Sequence, residues 1–124
     1  MRRTLGHIQT QKKGAIQHRD GDRYDKLAHD IEFVEGSLLH QIYQDDPSRM
    51  VNSVHHQAVK VLGKHLKVEA TCPQDDIVEA IHWQGASEGK VYGIQWHPEF
   101  SHTLGNQVLK ADNLYKMFLQ QCTR

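Results

Sequence analysis

Cysteine, proline and long apolar runs are all scarce in this sequence, and each scarcity removes a class of protein. The 124 residues hold two cysteines, Cys72 and Cys122, and no Cys-x-x-Cys pair, so neither a zinc ribbon nor a disulfide framework is indicated. Three prolines and nine glycines are too few for a collagen-like or low-complexity chain. No stretch approaches the ~18 to 20 consecutive apolar residues of a membrane span. Met1 leads directly into Arg2-Arg3-Thr4-Leu5-Gly6, which lacks the apolar core of a signal peptide. Fifteen Lys and Arg balance fifteen Asp and Glu for a net charge of zero with neutral histidine. No basic field therefore exists to gather nucleic acid or anionic lipid. The expectation is a single globular domain, cytoplasmic, without cofactor, with a small neutral molecule as its partner.

What the sequence does have is histidine. Ten are present, and their protonation would carry the net charge from zero to about +10 near pH 5, since an unperturbed imidazole titrates at ~6.5. Solubility and stability are therefore expected to depend on pH. The two cysteines read as plain buried thiols, because Cys72 closes an alternating segment before Pro73 and Cys122 closes an amphipathic helix.

The first thirty residues are polar and irregular, and read as loop with little core. From His29 onward Ile31 and Phe33 alternate with Glu32 as in a strand, and Gly36-Ser37 then opens a short helical turn carrying Leu38, Leu39, Ile42 and Tyr43. Asp45-Asp46-Pro47-Ser48 is a turn cluster. Met50 to Val54 reads as a short strand that delivers His55 and His56 at its end. Leu66 to Thr71 alternates with period two, Pro73 to Asp76 turns, and Ile77 to Trp83 returns as an adjacent antiparallel strand. Lys90 to Trp96 is apolar on both sides, the pattern of a buried central strand. Val108, Ala111, Tyr115, Phe118 and Cys122, with Leu114 and Leu119 beside them, recur at three and four residues and predict an amphipathic helix of about four turns. About five strands with one long helix leave a sheet covered on one face only. No internal repeat or low-complexity segment is present.

Two clusters have the composition for chemistry. In an extended segment residues two apart project the same way, so His97 and Glu99 leave the end of a strand together, stiffened by Pro98. A carboxylate beside an imidazole orients the ring and stabilises its charged form, as a general base serving a thiol or hydroxyl nucleophile requires. A surface His and Glu following a strand would give the same three residues. Asn52-Ser53-Val54-His55-His56-Gln57 offers amides and side chains for gripping a carboxylate or amide substrate at a strand end, although one packed and one solvated histidine would also fit. A metal reading draws on His55, His56, His97, Glu99 and His102, but no helical His-x-x-x-His pattern supports it and the residues lie on loops.

Val51 to Lys60, the Val68-Glu69-Ala70 and Val78-Glu79-Ala80 pair, and Tyr92-Gly93-Ile94-Gln95-Trp96-His97-Pro98-Glu99-Phe100 together resemble the class I glutamine amidotransferases. Within them the chain is similar to the gamma-glutamyl-gamma-aminobutyrate hydrolase group, over Gly14 to Cys122. The resemblance implies an α/β, flavodoxin-like three-layer α/β/α domain, present in part, with a mixed sheet containing an antiparallel section and with a C-terminal helix. It implies a Cys-His-Glu triad whose last two members fall on His97 and Glu99, and a glutamyl-binding segment at Ser53, Val54 and His55. The family's nucleophile occupies a Gly-x-Cys-x-Gly elbow upstream of the matched segments, and residues 1–124 contain no such motif; Cys72 and Cys122 lack the flanking glycines. The chain is thus expected to represent the carboxyl-terminal half of the domain, to bind a gamma-glutamyl molecule only when the domain is complete, and to be inactive alone. A binding or interaction module that retains the glutamyl pocket is the alternative. A homodimer or a separate amino-terminal half are the candidate macromolecular partners.

Overall fold

The computed structural model describes residues 3–5, 28–53, 55, 58–86, 90–99, 104 and 107–122, with backbone only at 3–5. Within them the chain forms strands β1 (Arg3–Leu5), β2 (Ala28–Asp30) and β3 (Glu32–Phe33), then helix α1 (Leu38–Ile42). Strands β4 (Met50–Asn52), β5 (Ala58–Val61), β6 (Leu66–Thr71), β7 (Val78–Trp83) and β8 (Tyr92–Ile94) follow, and helix α2 (Asp112–Cys122) comes last. Two strand pairs, β1 with β5 and β2 with β4, accompany a four-stranded sheet in the order β3-β6-β7-β8. Every ladder among the described residues is antiparallel. This is the antiparallel section and the C-terminal helix of a partial α/β domain.

The period-two run at its start serves two sheets. Ala28 to Asp30 pairs with β4, whereas Glu32 and Phe33 pair with β6. Between them the Ile31 amide donates to the Arg49 carbonyl at 2.8 Å. His29, Ile31 and Phe33 all face inward, as residues two apart in extended chain must. Helix α1 starts where expected: Gly36 takes φ 82°, a left-handed conformation that glycine adopts without steric cost. Ser37 then caps the helix by accepting the His40 amide at 3.1 Å.

The core gathers Ile31, Phe33, Leu39, Tyr43, Val51, Ala70, Ala80, Trp96, Leu109, Leu114 and Met117. Phe33 and Tyr43 stack with centroids 5.6 Å apart, and the Tyr43 hydroxyl donates to the Lys110 carbonyl at 2.9 Å. That bond ties α1 to the segment leading into α2. Burial pushes the Tyr43 hydroxyl well above the usual phenol range.

Four expectations are corrected. Residues 3–5 and 28–30 are strand within the first thirty residues, which had read as loop. Of Lys90 to Trp96 only the three half-buried residues of β8 form strand, at the edge of the sheet among the described residues rather than at its centre, with Trp96 beyond them buried in the core. Helix α2 has 11 residues, about three turns, and buries Leu114 and Met117, while Tyr115, Phe118 and Leu119 remain exposed. Cys122 on the same exposed side is solvent-accessible rather than buried. The reason is common to the last three: with no further layer over this side among the described residues, the apolar positions on it have nothing to pack against. Tyr115 and Phe118 instead line an open groove of about 460 Å³ with Val91, Tyr92, Ile94 and Pro98.

Candidate functional site

The His97 and Glu99 side chains meet. Nδ1 of His97 lies 3.0 Å from Oε2 of Glu99, at the end of the segment that follows β8. A carboxylate accepts but does not donate, so Nδ1 carries the proton and Nε2 is the basic nitrogen of the neutral ring. The hydrogen bond from His97 lowers the Glu99 carboxyl below its usual value near 4.5. Both side chains are accessible, 39% for His97 and 58% for Glu99, so incoming groups can reach the imidazole.

The polar segment after β4 reaches the same place through Asn52. Its side-chain Nδ2 donates to the His97 carbonyl at 2.6 Å and its Oδ1 accepts the His97 amide at 2.7 Å. Ser53 follows, fully buried. Val54 lies outside the described residues. His55 turns inward, its Nε2 3.1 Å from Oε2 of Glu79, and Nε2 of His29 stands 3.5 Å from the same oxygen. The strand end therefore joins two arrangements: Asn52 against His97, and His55 against Glu79 and His29.

Glu79, singled out in the sequence only as part of the Val78-Glu79-Ala80 segment, is fully buried on β7. Glu69 on β6 is buried as well, accepting the Leu39 amide at 3.1 Å and lying 2.7 Å from Nδ1 of His82. The register of β6 against β7 shifts around Glu69, and such a bulge breaks strict alternation. His29 was missed altogether. Its signal was its place two residues before Ile31, on the same inward face.

Of the metal-ligand candidates, His97 and Glu99 come together, while His55 joins His29 and Glu79; His56 and His102 lie outside the described residues. His29, His55 and Glu79 are the set among the described residues whose ligand atoms converge, all within 4.8 Å of one another. Zinc bonds of ~2.0 to 2.1 Å set tetrahedral ligands ~3.3 Å apart, a spacing that the 3.1 and 3.5 Å separations straddle. A hydrogen bond between His55 and Glu79 accounts for the 3.1 Å contact, while Nε2 of His29 at 3.5 Å lies beyond ordinary hydrogen-bond range.

Cys72 is fully buried in the turn between β6 and β7. Its thiol donates to Oε1 of Gln74 at 3.2 Å, and burial pushes its pKa up to about 12. A thiol so protonated is no nucleophile at neutral pH. Cys122 stands on the last residue of α2, exposed.

A profile of the Peptidase C26 family matches residues 3–99. Protein NtpR of Enterococcus hirae is 32% identical over 115 residues, 92% of this chain and 45% of that protein. The glutamine amidotransferase-like protein RP404 of Rickettsia prowazekii is 37% identical over 93 residues, 75% of this chain and 32% of its own length. The gamma-glutamyl-gamma-aminobutyrate hydrolase PuuD of Escherichia coli is 32% identical over 95 residues, 77% of this chain and 35% of that enzyme. The chain thus spans less than half the length of each of these relatives.

Proposed function

We propose, from the premise that this chain belongs to the Peptidase C26 family, that it carries the base and its orienter for hydrolysis of gamma-glutamyl amides. The observation that carries this reading is the His97–Glu99 pair set beside the Asn52–His55 segment by the two Asn52 bonds. In a Cys-His-Glu mechanism a thiolate attacks the gamma-glutamyl carbonyl, and the imidazolium on His97 protonates the departing amine as the C–N bond breaks. His97 then takes a proton from the water that cleaves the thioester, releasing glutamate and restoring the thiol. Glu99 fixes the tautomer that leaves Nε2 for these transfers. Ser53, Val54 and His55 belong to the segment that holds the glutamyl group.

Neither cysteine of this chain suits the nucleophile's place. Cys72 is sealed and protonated, and Cys122 is the last residue of a helix and lacks the flanking glycines of a nucleophile elbow. The isolated chain is therefore inactive, and the thiolate comes from a segment outside residues 1–124. The chain is incubated with gamma-glutamyl-gamma-aminobutyrate and with glutamine, alone and with a polypeptide that supplies a Gly-x-Cys-x-Gly segment. Release of glutamate only from the mixture, abolished by His97→Ala, is expected. Turnover by the chain alone, or a mixture indifferent to His97→Ala, overturns the reading.

A second reading is an interaction module. It is favoured by the exposed Tyr115, Phe118 and Leu119 next to the edge strand β8, since an open edge beside apolar side chains invites association. A second copy of this chain is the simplest partner. Sedimentation at tens of micromolar giving a dimer supports it, and a monomer removes it.

A further inference from the structure

We propose that Asn52 is the positioning residue for His97, fixing the backbone from which the imidazole projects. The inference rests on the reading of His97 as the general base. Strand β8 ends at Ile94, and the last sheet-like bond beyond it runs from the Gln95 amide to the Glu79 carbonyl at 2.7 Å. Two residues later the backbone has left the sheet, and Asn52 takes over.

Its primary amide presents a donor and an acceptor in one plane, and both are used on one residue: 2.6 Å to the His97 carbonyl and 2.7 Å from the His97 amide. The partners dictate which atom is which, because a backbone N–H only donates and a carbonyl only accepts. This pairing reproduces one rung of an antiparallel ladder, in which a residue exchanges both bonds with its neighbour. Serine has no such planar pair, aspartate has no donor when ionised, and glutamine is one methylene too long for the same reach.

With both peptide planes flanking His97 fixed, the direction of its Cα–Cβ bond is fixed too. Glu99 at Nδ1 then sets the remaining ring rotation. Asn52 itself is held firmly, being 1% exposed at the end of β4 with Ser53 buried beyond it. The clamp also joins the β2–β4 pair to the end of the four-stranded sheet. Movement of the glutamyl-binding segment is thereby transmitted to the base.

The test is amide exchange by NMR on the labelled 124-residue chain. In the wild type, the Asn52 side-chain protons and the His97 amide exchange slowly, like the amides of Ile81 and His82 in the sheet. His97→Ala leaves them slow, because the bonds run to backbone and not to the ring. Asn52→Leu keeps the bulk but removes both the donor and the acceptor. It is expected to speed exchange of the His97 amide by about tenfold, the loss of one net hydrogen bond, with Ile81 and His82 unchanged. It should also move the Glu99 carboxyl titration upward as the His97–Glu99 contact loosens, a change that a general loss of stability would not produce alone. Asn52 side-chain protons exchanging like those of an exposed asparagine overturn the proposal, as does an Asn52→Leu chain with unaltered His97 exchange and Glu99 titration. Should Asn52→Leu not fold, the wild-type and His97→Ala exchange decide. Failure of gamma-glutamyl compounds to react leaves all these signals as they are, so the clamp and the activity are judged separately.

Discussion

Oε2 of Glu99 receives Nδ1 of His97 at 3.0 Å across a single intervening proline, so an imidazole and its orienting carboxylate are built from three consecutive residues. No tertiary contact between distant elements is needed to bring them together. What tertiary structure adds is the direction in which the pair points, set by the two Asn52 bonds.

The Glu99 carboxyl should therefore titrate below 4.5 in the folded chain, and move back toward that value in His97→Ala. A carboxylate with a lowered folded value contributes its contact fully above the ordinary pKa and loses it as pH falls through the lowered one. Carbonyl-carbon chemical shifts between pH 2 and 6 measure both midpoints. Equal midpoints in the two chains would refute the contact.

The thiols should separate cleanly. Exposed Cys122 reacts with a thiol reagent in the native chain, while buried Cys72 reacts only after denaturation. One equivalent is expected under native conditions and two in denaturant, by mass spectrometry after alkylation. Rapid native labelling at Cys72 would contradict its burial.

Stability should fall on the alkaline side. Burial raises Cys72 from 9.0 to about 12 and raises Tyr43 and Tyr92 as well, so above pH 9 the unfolded chain releases protons that the folded chain keeps. With fewer protons bound in the unfolded state, stability decreases as pH rises, by at most about 1.4 kcal/mol per unit for each such group. Urea midpoints at pH 8 and 10.5 check the sign, and Cys72→Ala should remove the thiol's share.

Removing Glu79 should be far costlier than removing an exposed carboxylate. Glu79→Ala leaves His29 and His55 facing a buried gap and removes the partner of the His55 hydrogen bond, and a buried polar group so left costs about 1 to 3 kcal/mol before the cavity is counted. Tyr43→Phe, which loses only the bond to the Lys110 carbonyl, should cost about 1 kcal/mol. Denaturant unfolding of the two variants gives the comparison.

Metal analysis of the purified chain is expected to find no stoichiometric zinc. His29, His55 and Glu79 are each 9% exposed or less, and among the described residues they converge as three ligand atoms where a buried structural zinc site uses four. One zinc per chain, lost in His29→Ala, would assign them as ligands instead.

Much of the local structure was legible in the residues. Gly36-Ser37 marked the start of α1, and Leu66 to Thr71 matched β6 residue for residue. The His97–Glu99 contact was legible as a pairing but not in its geometry, because β8 ends at Ile94 and Pro98 and Glu99 lie in a 3₁₀ turn, so a tight turn and not extended chain brings the two side chains together. Glu69 and Glu79 were not legible as buried, because alternation puts a carboxylate outside wherever the register is regular, and the bulge that draws Glu69 in depends on the facing strand. The inward face of α2 was misread for a similar reason. Leu114 and Met117 lie beside a second apolar stripe through Tyr115 and Phe118, and periodicity says that a helix has apolar faces without saying which one finds a neighbour. The Asn52 bonds were invisible because they span 45 residues of sequence.

The passage of one extended run between two sheets at Ile31 makes spacing as important as identity. His29 reaches Glu79 and Phe33 reaches Tyr43 only because both stand an even number of positions from Ile31. An insertion or deletion of a single residue between them would turn one of the two toward solvent while leaving every side chain chemically intact. The stretch from 29 to 33 should therefore tolerate exchanges of residue far better than changes of length, as a gear tolerates a worn tooth better than a missing one.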